Sequence, residues 1–106
     1  MVEDFSNLID KYIKEDDKEK LLDLASKYEN KINLDKIVNY YIKDKDVYYI
    51  CELLSIVSEF LDLDNVFNKI IESNDETFIF LVSKNGLIQN IIDYKYILKL
   101  NKFLDK

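Results

Sequence analysis

At 106 residues, with 15 lysines, 21 carboxylates, one cysteine and neither histidine nor arginine, the chain carries a formal net charge of −6. This composition excludes an internal disulfide, removes the commonest general base and transition-metal ligand, and withholds the guanidinium fork used to grip phosphate. The net field also works against binding of nucleic acid or an anionic membrane. One glycine and no proline leave little punctuation for hairpins, so a single domain (1–106) of helices joined by short polar turns is expected. An all-lysine basic set beside abundant Ile, Asn and Tyr is the mark of an AT-rich coding sequence.

Phe5, Leu8, Ile9, Tyr12 and Ile13 fall at offsets 0, 3, 4, 7 and 8, one apolar face of an α-helix. Leu34, Ile37, Val38, Tyr41 and Ile42 repeat the pattern, as do Leu63, Val66, Phe67, Ile70 and Ile71. A fourth copy runs through Ile88, Ile91, Ile92, Lys95 and Tyr96 with one lapse, at Lys95. The period is 29 residues from Phe5 to Leu34 to Leu63, shortening to 25 at Ile88. Asp4, Asn33 and Asp62 stand where N-caps belong, and the fourth copy has Leu87 there instead.

A second series of helices lies between these. Residues 20–28 read KLLDLASKY, 52–60 read ELLSIVSEF and 77–83 read TFIFLVS, which aligns Ser26, Ser58 and Ser83 in one small-residue column. Asp17, Asp46 and Asn74 are the expected caps of this series. Phe78, Ile79, Phe80, Leu81 and Val82 are apolar on nearly every side, so the third of these helices is expected to be central or covered. Gly86 suits a left-handed helix end, and Ile97–Leu104 closes the chain as a final short helix. The fold class expected is all-α, a short right-handed α-solenoid of seven to eight helices with repeats at 5–30, 34–60, 63–85 and 88–104.

The stretch from Ile79 to Tyr96, IFLVSKNGLIQNIIDYKY, in which a helix ends in Ser-Lys-Asn-Gly before a second amphipathic helix, resembles a degenerate ankyrin repeat. LDLASKY followed by NLDKIVNYYI is similar to that family's Leu-Ala-Ser and Leu-Asp-x-Val stretches. The family's Thr-Pro-Leu-His helix start is absent and the turns are too short for its projecting hairpin, so HEAT-like stacking fits equally. The resemblance implies a protein-binding scaffold and transfers no binding residues.

Carboxylates cluster at Glu15-Asp16-Asp17, Asp44/Asp46, Asp62/Asp64 and Asp75-Glu76, none in EF-hand order, and capping accounts for their placement. Cys51 reads as a buried thiol and the serines as packing residues, so no catalytic, cofactor-binding or metal-binding residue is assigned. The Tyr set is the stronger candidate. Tyr40 and Tyr94 fall off the apolar face, in one column with Lys11 and Lys69, beside a column of Asp10, Asn39, Asn68 and Asp93. Stacked repeats would align these into a ridge suited to protein recognition, with Tyr48 or Tyr49 exposed near the same edge.

The function expected is that of a small acidic protein-interaction module, not an enzyme and needing no cofactor, which binds and inhibits a protein partner with a basic or neutral surface. The alternative is a nucleic-acid mimic, whose carboxylates block a DNA- or RNA-binding protein in the manner of phage anti-defence inhibitors such as those acting on CRISPR effectors. An acidic N-terminus and the lack of a long apolar run imply a soluble cytoplasmic chain with no membrane partner.

Overall fold

The computed structural model describes residues 5–105, and every regular element among them is helical. Eight α-helices follow in order: α1 (Ser6–Lys14), α2 (Lys18–Tyr28), α3 (Leu34–Lys43), α4 (Val47–Val57), α5 (Leu63–Glu72), α6 (Glu76–Lys84), α7 (Gly86–Ile91) and α8 (Tyr94–Leu104). Short 3-10 turns at Glu29–Lys31 and Ser58–Phe60 follow α2 and α4. The molecule is elongated, 49 Å by 24 Å by 20 Å. None of the described helices is long and apolar enough to cross a membrane.

The periodicity of 29 residues is written into the backbone. Asp16, Lys45 and Asn74 adopt left-handed conformations, with φ of 55°, 53° and 55°. Each is followed by an aspartate whose side chain accepts a first-turn amide: Asp17 from Lys20 N, Asp46 from Tyr49 N and Asp75 from Phe78 N. In the first two turns the aspartate's own N–H reaches back to close the preceding helix, Asp17 to Tyr12 O at 2.9 Å and Asp46 to Tyr41 O at 3.0 Å. The third cap is therefore Asp75 and not Asn74, because Asn74 is the left-handed residue that reverses the chain. Asn33 and Asp62 cap α3 and α5 as their spacing requires. Asp4 lies outside the described residues.

With the register fixed by these turns, α2, α4 and α6 align at offsets of 29. Leu21, Ile50 and Ile79 are all fully buried in one column, as are Leu53 and Val82 in the column of Leu24. Ala25, Leu54 and Ser83 form the next buried column. The expected column of Ser26, Ser58 and Ser83 does not exist: Ser26 is exposed, Ser58 half-buried and Ser83 buried with its hydroxyl on Phe80 O. Matching on the Leu-Leu pairs shifted the second copy by three residues, close to one helical turn, which preserves the apolar face while displacing everything else.

The core runs the length of the molecule. α4 packs against α2, α3, α6 and α7, and buries Ile50, Cys51, Leu53, Leu54 and Val57. This is the central helix. The expectation that α6 is central is overturned, since Phe80 and Leu81 are 48% and 45% exposed. Only Phe78, Ile79, Val82 and Ser83 of α6 face inward.

The fourth copy of the template also departs from expectation. Its five positions do not share a helix: α7 stops at Ile91, Ile92 is extended, and Asp93 caps a new helix by accepting the amide of Lys95. α8 packs beside α5, with the Tyr96 ring stacked on Phe67 at 4.9 Å. The final helix thus starts at Tyr94, three residues before the position its apolar spacing suggests. Lys95 is exposed on it, so the lapse in the template is no defect in the core.

The one glycine sits where its freedom is unused. Gly86 has no positive φ and is the first residue of α7, capped by Asn85 through the amides of Leu87 and Ile88. Nothing lies within 4 Å of where a Cβ would be. Glu29, by contrast, holds φ 47° and ψ −117° between α2 and its 3-10 turn, a conformation natural only to glycine. Glu29→Gly is expected to raise unfolding stability by about 1 kcal/mol, and Gly86→Ala by about 0.5 kcal/mol. Chemical denaturation of the two variants checks both, and a destabilised Glu29→Gly would show that its side chain does more than bear strain.

Candidate interaction surface

The predicted ridge forms across the first three repeats only. Lys69 of α5 donates to Asn39 of α3 at 2.7 Å, and Lys36 of α3 pairs with Asp10 of α1 at 2.5 Å, so neighbouring columns touch between successive repeats. Asn68 is exposed, and a shallow hollow of about 400 Å³ lies between Asn39, Lys43, Lys69 and Glu72. Asp93 and Tyr94 do not join this ridge. The break after Ile91 makes Asp93 a cap and puts Tyr94, 63% exposed, on the first turn of a different helix.

The remaining tyrosines belong to a clamp between the first two repeats. Lys18 at the start of α2 lies between Asp44 at 2.9 Å and Asp46 at 3.0 Å, and both carboxylates flank the turn before α4. The bond to Asp44, above all, holds the Lys18 ammonium well beyond its ordinary range, with Asp46 adding to it. Tyr41, fully buried in the core, donates its hydroxyl to Lys18 O at 2.8 Å, and burial pushes its pKa up. Tyr49 donates to Glu19 at 2.9 Å, a bond that raises its own pKa, and Tyr40 donates to Asp16. Tyr40 and Tyr49 are accordingly half-buried and tied down, whereas Tyr48 stands 59% exposed with its edge against Tyr49. Of the pair at that turn, Tyr48 is the one presented to solvent.

Asp10, Asp17, Asp23, Asp44, Asp46, Asp62, Asp75 and Asp93 are committed to the chain's own backbone amides or lysines. Lys45 reaches across to Asp75 at 3.4 Å, linking the second and third repeats as Lys18 links the first and second. Among the described residues no three His, Cys, Asp or Glu side chains converge in a way that could hold a metal ion. Cys51 is completely buried, and burial pushes its thiol up to about 12. A neutral thiol in the core makes a poor nucleophile.

One concavity lies outside every site that the sequence suggests. A groove of about 860 Å³, open to solvent, runs between the outer faces of α6 and α8. Phe80, Leu98 and Leu104 supply its apolar surface. Lys84, Lys95, Lys99 and Lys102 surround it, and Asp105 is the one carboxylate in its lining. The Lys84 ammonium sits 5.6 Å from the centre of the Phe80 ring. A signal for it was present: Lys95, Leu98, Lys99 and Lys102 follow the 3 and 4 spacing of one helix face, opposite buried Tyr96, Ile97 and Leu100.

Comparison with protein-family models, with curated proteins and with solved structures finds no match to this chain.

Asp75 offers a measurable handle on the inter-repeat links. The Phe78 N–H, first, and then the Lys45 ammonium hold its carboxyl below the ordinary value of 3.8. A depressed carboxylate stabilises the fold above its unfolded pKa, and that contribution is lost as pH falls through the folded value. Asp75→Asn keeps a side-chain oxygen for the cap but cannot ionise. The wild type is expected to melt above this variant from about pH 5 upward, with the difference closing toward about pH 2. Melting curves across that range check it, and a gap independent of pH would remove the charge from the explanation.

Proposed function

We propose that the chain is a protein-interaction module and not an enzyme, and that its contact face is the outer surface of α6, α7 and α8. The observation that carries this reading is the distribution of exposed apolar side chains. Of the eight large hydrophobic residues exposed among the described positions, six lie between residues 80 and 98: Phe80, Leu81, Leu87, Ile91, Tyr94 and Leu98. Only Tyr48 and Ile56 precede them. Scattered single residues of this kind are ordinary on a protein surface, but a concentration at one end of an elongated molecule is what a contact face presents. Tyr94, proposed for recognition on its sequence position, belongs to this group.

The ridge of Asn39, Asn68 and Lys69 is a weaker contact face, because Lys69 and Asn39 already bond to each other between repeats. The same reasoning ranks nucleic-acid mimicry second. Asp10, Asp17, Asp44, Asp46, Asp62, Asp75 and Asp93 each hold a backbone amide or a lysine of the chain itself, which leaves them poorly arranged as stand-ins for phosphates. A cytoplasmic setting and an inhibitory mode of action fit this reading.

Cross-linking in the organism of origin, followed by mass spectrometry, tests the assignment. The double substitution Leu81→Asp with Leu98→Asp is expected to leave melting temperature and helical content near wild type, since both side chains are about half exposed. It should reduce recovery of the wild-type partner more than tenfold. Asn39→Ala with Asn68→Ala should keep that partner. The opposite pattern would return the binding face to the ridge.

A further inference from the structure

We infer that the groove between α6 and α8 takes an acidic amphipathic helix from a protein partner. The inference rests on the reading of the C-terminal face as the contact surface and adds the chemistry of what docks there.

Charge is distributed unevenly along the chain. Residues 1–83 carry ten lysines against nineteen carboxylates, whereas residues 84–106 carry five lysines against two. The groove gathers four of those five lysines around Phe80, Leu98 and Leu104. Of the ten lysines before residue 84, five, Lys18, Lys20, Lys27, Lys36 and Lys45, pair with an aspartate, whereas none of Lys84, Lys95, Lys99 and Lys102 pairs with a carboxylate among the described residues. In a chain with an excess of acid, four unneutralised ammonium groups around one apolar floor are a local field opposite in sign to that of the whole molecule. Their charge complement is a ligand that is apolar on one side and anionic along its flanks.

The shape narrows the class of ligand. The α8 wall is 11 residues long, about 16 Å at helical rise, which accommodates roughly three turns of a second helix. Such a helix would set side chains at spacings of three and four onto Phe80 and Leu98, and its glutamates would meet Lys84, Lys95, Lys99 and Lys102. An anionic membrane fits less well, because the apolar residues lie in a hollow rather than on a projection and the other 83 residues would be repelled. The expectation of a basic or neutral partner, drawn from net charge, gives way at this groove to an acidic segment.

Isothermal titration with two synthetic helices tests the proposal on the intact chain. Each has about 14 residues with Leu at four positions spaced 0, 3, 4 and 7, and the remaining positions are Ala with either Glu or Lys. The Glu helix is expected to bind with a Kd below about 100 µM, at least tenfold tighter than the Lys helix. Binding should weaken several-fold from about 50 to about 500 mM NaCl. Lys99→Glu with Lys102→Glu should abolish the preference, and Leu98→Asp should abolish binding, with melting temperatures unchanged in both. Equal binding of the two helices, no binding of either, or binding only to phosphatidylserine vesicles would overturn the proposal. If the Glu helix fails while Leu81→Asp with Leu98→Asp still loses the cross-linked partner, the acidic-helix proposal falls and the contact face stands. If the Glu helix binds and that variant keeps its partner, the groove is a peptide site and the assignment of the physiological contact face is wrong.

Discussion

The reversal of chain direction between paired helices rests on a two-residue device: a left-handed residue followed by an aspartate that caps the next helix. It occurs at Asp16-Asp17, Lys45-Asp46 and Asn74-Asp75, and its recurrence sets the spacing of everything between. A helix leaves four carbonyls unpaired at one end and four amides at the other. The device serves both ends at once. In its first two copies the backbone N–H of the aspartate closes the helix before it while the carboxylate opens the helix after it. That leaves no slack in which the two helices could slide, so the apolar columns of α2, α4 and α6 meet in register.

Holding repeats together laterally falls to a different set of groups. The apolar columns supply most of the driving force, as burial of large aliphatic side chains does generally. Polar links add specificity: Lys18 to Asp44 and Asp46, Lys45 to Asp75, Lys36 to Asp10, and Lys69 to Asn39. Exposed pairs of this kind contribute little stability singly. Their effect is to favour the alignment of neighbouring repeats in which Lys18, Lys36 and Lys45 each meet an aspartate of the adjacent repeat. The same economy removes Tyr40, Tyr41 and Tyr49 from the surface available to a partner, because each hydroxyl is spent on the preceding repeat.

At the C-terminal end the regularity stops, and that is where apolar surface remains uncovered. α7 lasts only six residues before the extended Ile92, and α8 turns back to lie against α5 and α6. No other described helix covers the face that α6 and α8 turn outward. A polar outer face would serve if solubility were the sole requirement. Instead, α6 and α8 show Phe80, Leu81 and Leu98 to solvent, with lysines set around Phe80 and Leu98.

Helix content, the apolar faces of α1, α3 and α5, the burial of Cys51, and four caps, at Asp17, Asn33, Asp46 and Asp62, were legible in the sequence. Each depends on residues within one or two turns of each other, where spacing alone dictates which face is apolar and which amide is left to cap. The register of the second helix series, the third cap at Asp75, the break at Ile92 and the exposure of α6 were not. A shift of three residues leaves an apolar stripe almost unchanged, so periodicity cannot distinguish ELLSIVSEF at an offset of 32 from VYYICELLSIV at 29. Asn74 and Asp75 are both good caps on propensity; only the closure of the preceding helix selects between them. Whether Tyr40 meets solvent or Asp16, and whether Lys99 finds a carboxylate, depends on elements distant in sequence. Local patterns of side chains determined the helices, and the packing of one turn against the next decided which side chains remain for a partner.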